Sequence, residues 1–220
     1  TLTEDELHLG AVCIDFGGGT TGLSIFFEKQ LIYADGIRIG GCHITSDIMQ
    51  AFQITEEIAE RLKTLHGGVV QTSHDDRELI EIPGKSNIWN DERSAISRSE
   101  LIGVIRPRVE EILEKIKFKL VEAGLDHLPS QKIILCGGSS QLTGLHELAS
   151  AFLNRQVRVS RPMRVQGLPQ ALQGSQFSAI IGLAIEINNL QDEVWDFDIP
   201  TNLGPGQKIK SAVNWVRDNW

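Results

Sequence analysis

The sequence predicts an α/β fold, and three observations support that prediction. Short apolar runs of strand length occur along the chain between segments of helical periodicity. The first run, 11–16, is followed by β-rich segments after short turns, which indicates an antiparallel meander rather than a strand–helix crossover. A long amphipathic helix and a further buried strand, 132–136, follow later in the chain.

The first third of the chain contains the meander and two helices. After strand 11–16 and a glycine turn, strands are predicted at 23–27 and from 31 to 39. A short helix is predicted over 44–52. A longer one is predicted from Thr55, its candidate N-cap, to His66, followed by a strand at 78–82.

The middle of the chain predicts a long helix. Ser97-Arg-Ser-Glu100 matches a capping box and begins a helical stretch, with Pro107 placed near the start of the long helix. Gly124 is its candidate C′ residue. The apolar stripe of this helix consists of Val109, Ile112, Leu113, Ile116 and Leu120.

The last third alternates strands and helices and then changes character. After strand 132–136, the pattern predicts a helix over 144–153, a strand at 157–159 and a small, apolar, buried helix over 177–187. The stretch after it has four acidic and no basic residues and is typical of a flexible linker.

Composition excludes several classes of protein. Of the 220 residues 41% are hydrophobic and 23% are charged, which is typical of a globular chain. The net charge of −8 argues against nucleic-acid binding through a broad basic face. No apolar run approaches the roughly 20 residues of a membrane-spanning helix, and no signal peptide begins the chain. Because the first residue is Thr1 rather than Met, we expect the chain to be a fragment.

The cysteines and histidines do not suggest a metal site. The three cysteines are Cys13, Cys42 and Cys136, and none belongs to a CxxC pair. Cys13 and Cys136 lie in strand-like runs and are predicted to be buried free thiols. The six histidines lack the spacing of zinc ligands.

The glycine turn after the first strand matches the dinucleotide fingerprint GxGxxG at residues 17–22. That fingerprint requires a helix directly after the turn, whose N-terminus binds the pyrophosphate. Here a strand follows, so the sequence argues against a dinucleotide site.

A glycine hairpin offers another way to bind phosphate. Backbone N–H groups at Gly17, Gly18 and Gly19 can converge on an anion, and Thr20 adds a hydroxyl. Asp15, at the end of the strand, places a carboxylate where a phosphate-bound Mg²⁺ needs one. The alternative is a tight turn in which Asp15 is only a cap.

Two glycine motifs carry a resemblance. Residues 15–20, Asp-Phe-Gly-Gly-Gly-Thr, resemble the second phosphate motif of the actin/Hsp70/sugar-kinase ATPase superfamily, and residues 135–140, Leu-Cys-Gly-Gly-Ser-Ser, resemble its adenosine motif. Further runs resemble the FtsA family of bacterial division proteins. They are Val12-Cys-Ile-Asp-Phe-Gly-Gly-Gly-Thr20, Gly40-Gly-x-x-Ile-Thr-Ser-Asp47, Ala59-Glu-Arg-Leu-Lys-x-x-His-Gly67 and Ile105-Arg-Pro-Arg-Val109.

The resemblance implies the second lobe of a two-lobed, actin-like (ribonuclease H-like) ATPase, a mixed sheet with helices and an inserted small α/β subdomain. The first phosphate motif, the first-lobe metal aspartate and the 1C subdomain are expected upstream, and the last helix before the linker is expected to pack on that first lobe. The implied organisation is subdomain 2A in two parts (1–47 and 104–187), subdomain 2B (48–103), a linker (188–207) and a C-terminal amphipathic helix (208–220).

The resemblance also implies the cofactors ATP and Mg²⁺ and the residues that bind them. Asp15 would hold Mg²⁺ through water, and the glycines of the turn with Thr20 would bind the β- and γ-phosphates. Glu60 and Lys63 would border ribose and adenine, although a solvated surface pair is the alternative. The other side of the adenosine would be flanked by Gly137, Gly138 and Ser139. No general base is identifiable, so at most a slow ATPase is implied.

The last thirteen residues predict an amphipathic helix. Three cations and one anion make the segment locally positive, which suits an anionic membrane surface. Thirteen residues are too few to span a bilayer. Docking on the protein itself or on a partner is the alternative. The candidate membrane-facing residues are Ile209, Ala212, Val213, Trp215, Val216 and Trp220.

FtsA resemblance implies a function in division. The protein would polymerise and tether the FtsZ ring to the cytoplasmic face of the inner membrane at the division site, as a peripheral protein. The FtsZ C-terminal peptide would dock near residues 97–108, where Arg106 and Arg108 could meet acidic groups, unless they are solvated helix charges. Other division proteins would bind through the absent lobe. A sugar or acetate kinase and a pilus-assembly ATPase are the alternatives.

Overall fold

The computed structural model describes residues 1–82, 95–124, 132–162 and 167–188. The strands are β1 (Ala11–Phe16), β2 (Thr21–Phe27), β3 (Gln30–Ile37), β4 (Leu79–Glu81), β5 (Ala95–Ser97), β6 (Lys132–Cys136) and β7 (Val157–Val159). The helices are α1 (Glu4–Leu9), α2 (Gly41–Phe52), α3 (Glu56–His66), α4 (Arg98–Glu122), α5 (Leu145–Leu153) and α6 (Ser178–Asn188). Short 3₁₀ turns cover Gly138–Gln141, Gln170–Leu172 and Ser175–Phe177.

The chain divides into two units, residues 1–185 and residues 186–220. Of the second unit, the described residues are only 186–188, which end helix α6. The predicted linker after residue 188 and the predicted helix over 208–220 therefore lie outside the described residues. None of the helices in the described ranges is long and apolar enough to cross a membrane.

The sheet of the first unit is mixed, as predicted. Its strand order is β3-β2-β1-β6-β7. Strands β1, β2 and β3 form the predicted antiparallel meander, whereas β6 runs parallel to β1 and β7 parallel to β6. Strands β4 and β5 form a separate antiparallel pair. The α/β fold with a mixed sheet is thus confirmed, and the division into subdomains 2A and 2B stays a prediction.

The two faces of β1 explain how the sheet positions polar groups. Val12, Ile14 and Phe16 point into the core and are fully buried. Cys13 and Asp15 lie on the opposite face and are half-buried, because side chains alternate along a strand. The end of β1 therefore directs a carboxylate away from the core, toward the loop that follows β6.

Helix α4 packs its predicted stripe onto the core. All five stripe residues of the sequence prediction are buried, and each fully buried aliphatic side chain contributes about 1.5–3 kcal/mol. The capping box is present: Ser97 Oγ accepts from the backbone N–H of Glu100, and the Glu100 carboxylate accepts from the backbone N–H of Ser97. Gly124 has a φ of 67°, as expected of a C′ glycine.

The predicted position of Pro107 was wrong. Proline lies inside one continuous 25-residue helix rather than near its start. Its ring faces the carbonyl of Gly103, one turn back, and both residues are exposed. Water can therefore solvate the carbonyl that the proline leaves without an N–H partner.

Other elements differ more modestly from expectation. Helix α2 begins at Gly41 rather than at residue 44, and Thr55 is the N-cap residue of α3 but makes no side-chain capping bond. Helix α6 was predicted to be buried, but Ile180 and Leu183 are 65% and 63% exposed. The apolar composition predicted that this helix forms. It does not indicate which surface, if any, buries its apolar side chains.

Candidate functional site

The glycine turn joins β1 to β2. Phe16 and Thr21 are the last register pair of the hairpin, and the N–H of Gly17 donates to the carbonyl of Asp15 at 3.0 Å. Gly18 and Gly19 are exposed, and among the described residues no backbone carbonyl accepts from their N–H groups. A strand follows the turn, so the helix that a dinucleotide site requires is absent there, as predicted.

The first turn of α2 holds this glycine loop from the other side. The N–H of Gly41 donates to the carbonyl of Gly17 at 3.0 Å, and the N–H of Cys42 donates to that of Gly18 at 2.8 Å. A Cβ on Gly40 would lie 2.6 Å from the carbonyl oxygen of Gly18, so this close approach requires glycine. The loop carbonyls therefore face α2.

Lys63 is a buried cation next to this turn. Its side chain is 10% exposed, and its ammonium donates to Gly41 O, Thr45 Oγ1 and Glu60 Oε2 at 3.1, 2.8 and 2.6 Å. The alternative of a solvated surface pair does not hold for Lys63, although Glu60 is half-exposed. Burial raises the pKa of Glu60, but hydrogen bonds from Lys63 and Thr45 outweigh it and hold that pKa below its usual value.

The loop after β6 forms the opposite side of the site. Gly137 has a φ of 84°, and a Cβ there would collide with the Asp15 carboxylate and the Phe16 carbonyl. The following 3₁₀ turn is fixed by Ser140, whose Oγ donates to Gly137 O at 2.7 Å. A glycine is thus required for the close contact between the two motifs.

A cavity of 470 Å³ lies between these groups. It brings together Gly18 of the glycine loop, Glu60 and Lys63 of α3, and Gly138 and Ser139 of the turn after β6. The other predicted ligands lie near this cavity but not in its wall: Asp15, Gly17, Gly19, Thr20 and Gly137. The remaining lining residues are Gly41, Thr64, Leu65, Gly67, Gln141, Leu142, Thr143 and Gln176.

Asp15 lies behind Gly137 on the half-buried face of the sheet. Burial raises the pKa of Asp15, and an interaction with Cys136 partly offsets that effect. Cys136 is a buried free thiol, as predicted, whereas Cys13 is half-buried; their sulfurs are 3.6 Å apart. The hydrogen bond with Cys13 and burial together raise the pKa of Cys136.

The residues predicted to contact a partner are partly engaged within the chain. Arg108 donates to both carboxylate oxygens of Asp47, at 2.7 and 2.9 Å, and also pairs with Glu111. These bonds raise the pKa of Arg108 and tie α4 to α2. Arg106 pairs with Glu110 at 2.7 Å on the exposed side of α4. A role of either arginine in partner binding stays a prediction.

Sequence reasoning missed several residues of the site. Thr45 is 3% exposed and lies between Lys63 and Glu60, and Gln141 and Gln176 line the cavity. The Gly40-Gly41 pair with a threonine one turn later was an available signal, because such glycines permit close backbone approach. Gln176 lies in the 3₁₀ turn Ser175–Phe177, far along the chain, and no local pattern predicts its position.

Solved structures define the class of fold. The chain is similar to MreB5 of Spiroplasma citri bound to AMPPNP, with a TM-score of 0.67 and 21% identity over 84% of this chain and 55% of that one. It is also similar to a PilM–PilN type IV pilus biogenesis complex, with a TM-score of 0.60 and 19% identity over 83% of this chain and 47% of the other. The chain therefore has the actin-like fold.

Within that class, the chain belongs to the FtsA family. The family model "Cell division protein FtsA" matches residues 12–182. FtsA of Agrobacterium fabrum is 42% identical over the whole chain and 50% of its own length, and FtsA of Rhizobium meliloti is 36% identical with the same coverage. FtsA of Escherichia coli K12 is 31% identical over 98% of this chain and 53% of its own length.

The chain thus spans about half the length of the curated relatives that it matches. The predicted resemblance is confirmed, and the family match favours cell division over the two alternatives, a kinase and a pilus-assembly ATPase.

Proposed function

We propose that this chain forms one wall of an ATP–Mg²⁺ site in an actin-like cell division protein. The observation that carries the proposal is the 470 Å³ cavity in which Gly18, the Glu60–Lys63 pair and the Gly138–Ser139 turn meet. These groups come from three separate segments of the chain, and the family resemblance implies a nucleotide contact for each of them. A protein of the same fold, MreB5, has been solved with the ATP analogue AMPPNP, which supports this ligand class.

The chemistry of the groups fits a nucleotide triphosphate. Exposed N–H groups of Gly18 and Gly19 bind phosphate oxygens, and Thr20 adds a hydroxyl. Asp15 would hold Mg²⁺, a fit supported by its half-buried position, because a nearby cation relieves the cost of ionising that carboxyl. When bound, Mg²⁺ neutralises phosphate charge.

The proposed site is tested by a substitution at Gly138, in the wall of the cavity. Gly138 lines the cavity, and a Cβ there would have its nearest neighbour, Gln176 Cβ, at 3.8 Å, so the backbone has room for a side chain. We expect Gly138→Leu to narrow the cavity. The protein to use is a two-lobed fusion in which this chain replaces the matching half of the Agrobacterium fabrum relative. We expect Gly138→Leu to weaken Mg-ATP binding at least about tenfold by calorimetry.

The matched control is Gly103→Leu on the exposed face of α4, away from the cavity. It should leave the affinity for Mg-ATP unchanged. Unchanged binding by Gly138→Leu, or no saturable binding by the fusion itself, would contradict the proposed nucleotide site.

We further propose that the protein polymerises and tethers the FtsZ ring to the cytoplasmic face of the inner membrane at the division site. Membership of the FtsA family supports the division context. The amphipathic pattern of residues 208–220 supports attachment to an anionic membrane surface as a peripheral protein. Attachment through one helix of thirteen residues is weak, so many copies in a filament would supply avidity.

Membrane attachment is tested by flotation with anionic vesicles. The chain ending at residue 207 should lose binding, whereas the whole chain should float and release at high salt, because screening weakens the basic segment's attraction to lipid. Equal flotation of both proteins would eliminate the C-terminal segment as the membrane contact.

The FtsZ contact is tested by titrating a labelled C-terminal peptide of FtsZ onto the chain. Arg106→Glu, on the exposed side of α4, should weaken binding several-fold if this surface receives the acidic peptide. Lys115→Glu, further along the same helix, is the matched control and should leave binding unchanged. Absence of saturable binding would contradict this part of the proposal.

A further inference from the structure

Two glutamine side chains in the wall of the cavity are hydrogen-bonded to each other. Gln141 Nε2 donates to Gln176 Oε1 at 2.5 Å, and both residues line the 470 Å³ cavity. A carboxamide has two N–H donors and one carbonyl acceptor. Among the described residues, these two side chains form no other hydrogen bond, so Gln141 keeps an acceptor and a donor for a ligand.

The backbone segments that carry the two glutamines are joined to each other. Each glutamine lies in a short 3₁₀ turn and next to a buried serine. The hydroxyl oxygens of these serines, Ser140 and Ser175, are 2.9 Å apart. The N–H of Gly137 also donates to the carbonyl of Ser175, at 3.2 Å. The positions of the two glutamines relative to each other are therefore fixed by the backbone as well as by their own bond.

The lining near this pair differs from the lining near the glycine loop. A Cβ on Gly41 would collide with Ser139 Oγ, so the start of the 3₁₀ turn lies against the first turn of α2, which holds the glycine loop. Gln141 is two residues further along this turn. Leu65 and Leu142 line the same cavity. Apolar side chains together with a few carboxamides suit a nucleobase, whose faces are apolar and whose edge is polar.

The polar edge of adenine is complementary to a carboxamide. The N6 amino group donates and N7 accepts, so one glutamine side chain can form both bonds side by side. Guanine has the acceptor O6 in place of the amino group, and a carbonyl oxygen held at that position faces a second acceptor. If the Gln141 carboxamide turned around, its oxygen would lie against Gln176 Oε1. The bond between the two glutamines therefore fixes the orientation of the Gln141 carboxamide.

We infer that Gln141 and Gln176 are the specificity-determining residues of this cavity. Gln141 pairs with the polar edge of adenine, and Gln176 holds the Gln141 carboxamide in the orientation that disfavours guanine. This inference rests on the proposed nucleotide function and adds to it the choice of base.

The choice of base is measured first on the unsubstituted two-lobed fusion. Calorimetric titrations with Mg-ATP, Mg-GTP and Mg-tripolyphosphate give three affinities under the same conditions. We expect Mg-ATP to bind at least about tenfold more tightly than Mg-GTP, because the wrong base leaves a carboxamide without its partner. Equal affinities for Mg-ATP and Mg-GTP would overturn the inference and leave the proposed function standing. If neither Mg-ATP nor Mg-tripolyphosphate binds, the proposed function and the inference both fail.

Two substitutions of similar size test whether the preference comes from the glutamine pair. Gln141→Met should weaken Mg-ATP binding about tenfold and change the affinities for Mg-GTP and Mg-tripolyphosphate less than about twofold. Gln176→Met allows the Gln141 carboxamide to turn around, so it should reduce the preference for ATP mainly by strengthening Mg-GTP binding. Retained binding of Mg-tripolyphosphate verifies that each variant is folded. An unchanged ratio of ATP to GTP affinity in both variants would overturn the inference.

The matched control is Gln173→Met, three residues before Gln176. Gln173 Nε2 donates to the carbonyl of Leu168 at 3.1 Å, and Gln173 is not among the residues that line this cavity. This variant loses the same kind of side chain from the same part of the chain, and it should leave all three affinities unchanged. A loss of the preference for ATP as large as that of Gln141→Met would overturn the inference.

Discussion

At the residue scale, buried charges in this chain are held by several hydrogen bonds each. Glu6 of α1 accepts from Arg158 Nε at 2.7 Å and from its terminal nitrogen at 2.5 Å, in a bidentate pair. It also accepts from the backbone N–H of Thr3. The hydrogen bond from Arg158 is the main reason that the pKa of Glu6 is lowered from 4.5 to about 2. This pair ties α1 to the edge strand β7.

This ion pair predicts a defined pH dependence of stability. Because the folded-state pKa of Glu6 is below its ordinary value, the stabilisation is complete above about pH 4.5 and is lost as the pH falls toward 2. Glu6→Gln should lower the free energy of unfolding at pH 7 by about 2 kcal/mol and flatten its dependence on pH in that window. Urea denaturation at several pH values measures both effects.

The control is Glu4→Gln on the same helix. Glu4 forms an exposed pair with Lys29 at 3.1 Å, so its removal should cost less than about 0.5 kcal/mol. A Glu6→Gln profile that runs parallel to wild type between pH 4.5 and 2 would disprove the assigned role.

The pKa of Asp15 shifts in the opposite direction, so its effect on stability changes with pH in the opposite sense. Burial raises its pKa, so the folded state pays to ionise this carboxyl, and stability falls as the pH rises through its titration. Asp15→Asn should therefore raise Tm slightly, by about 2 °C or less, in calorimetric melts at pH 7. In the two-lobed fusion the same variant should abolish the increase in ATP affinity that Mg²⁺ gives. A lower Tm, or an unchanged effect of Mg²⁺, would contradict the role given to Asp15.

At the scale of elements, helix α4 shows both what the sequence predicts and where it misleads. Its capping box at Ser97 and its terminal glycine were predicted correctly because caps are local in sequence. The position of Pro107 was predicted wrongly because an interior proline costs about 3 kcal/mol, which favours a helix start. Contacts with the core offset that cost, and they are not visible in the local sequence. Ile105 and Val109, on either side of the proline, are fully buried in the core and hold the helix continuous.

We therefore expect the proline to be tolerated rather than required for stability. Pro107→Ala should raise the free energy of unfolding by about 1–3 kcal/mol, measured in urea, because it restores an N–H donor and removes the ring. Lys115→Ala, at an exposed site on the same helix, should change the free energy of unfolding by less than about 0.5 kcal/mol. A destabilised Pro107→Ala would mean that the ring itself makes a favourable contact.

Helices α1 and α6 mark two other limits of sequence reasoning. Helix α1 has six residues, too few for an apolar period, although the capping box of Thr3 and Glu6 was available as a signal. The exposed face of α6, at Ile180 and Leu183, could not be predicted, because periodicity does not specify which surface covers a helix.

At the scale of the whole molecule, the candidate site was located through the resemblance carried by two glycine motifs, and glycines permit the close backbone approach seen there. Its role in nucleotide binding stays a prediction. The motifs are about 120 residues apart, yet β1 and β6 pair in parallel with Asp15 opposite Cys136, so both loops leave the same edge of the sheet. The links between helices were not predictable. The hydrogen bonds of Lys63 with Thr45, and of Arg108 with Asp47, depend on how α2 packs against α3 and α4. The spacing of residues within one helix does not indicate that packing.

The chain by itself is expected to bind nucleotide weakly. The chain spans about half the length of its relatives, and the proposed site supplies one wall of a nucleotide cleft. The chain alone would bind the phosphates from one side only, so water competes for their remaining oxygens. It also supplies fewer charge-assisted hydrogen bonds than the two lobes together. We expect this chain alone to bind Mg-ATP at least about 100-fold more weakly than the two-lobed fusion, since each factor of ten corresponds to about 1.4 kcal/mol. Calorimetric titration of both proteins under the same conditions measures the ratio. Tight, stoichiometric binding by the chain alone would show that its residues form the whole site.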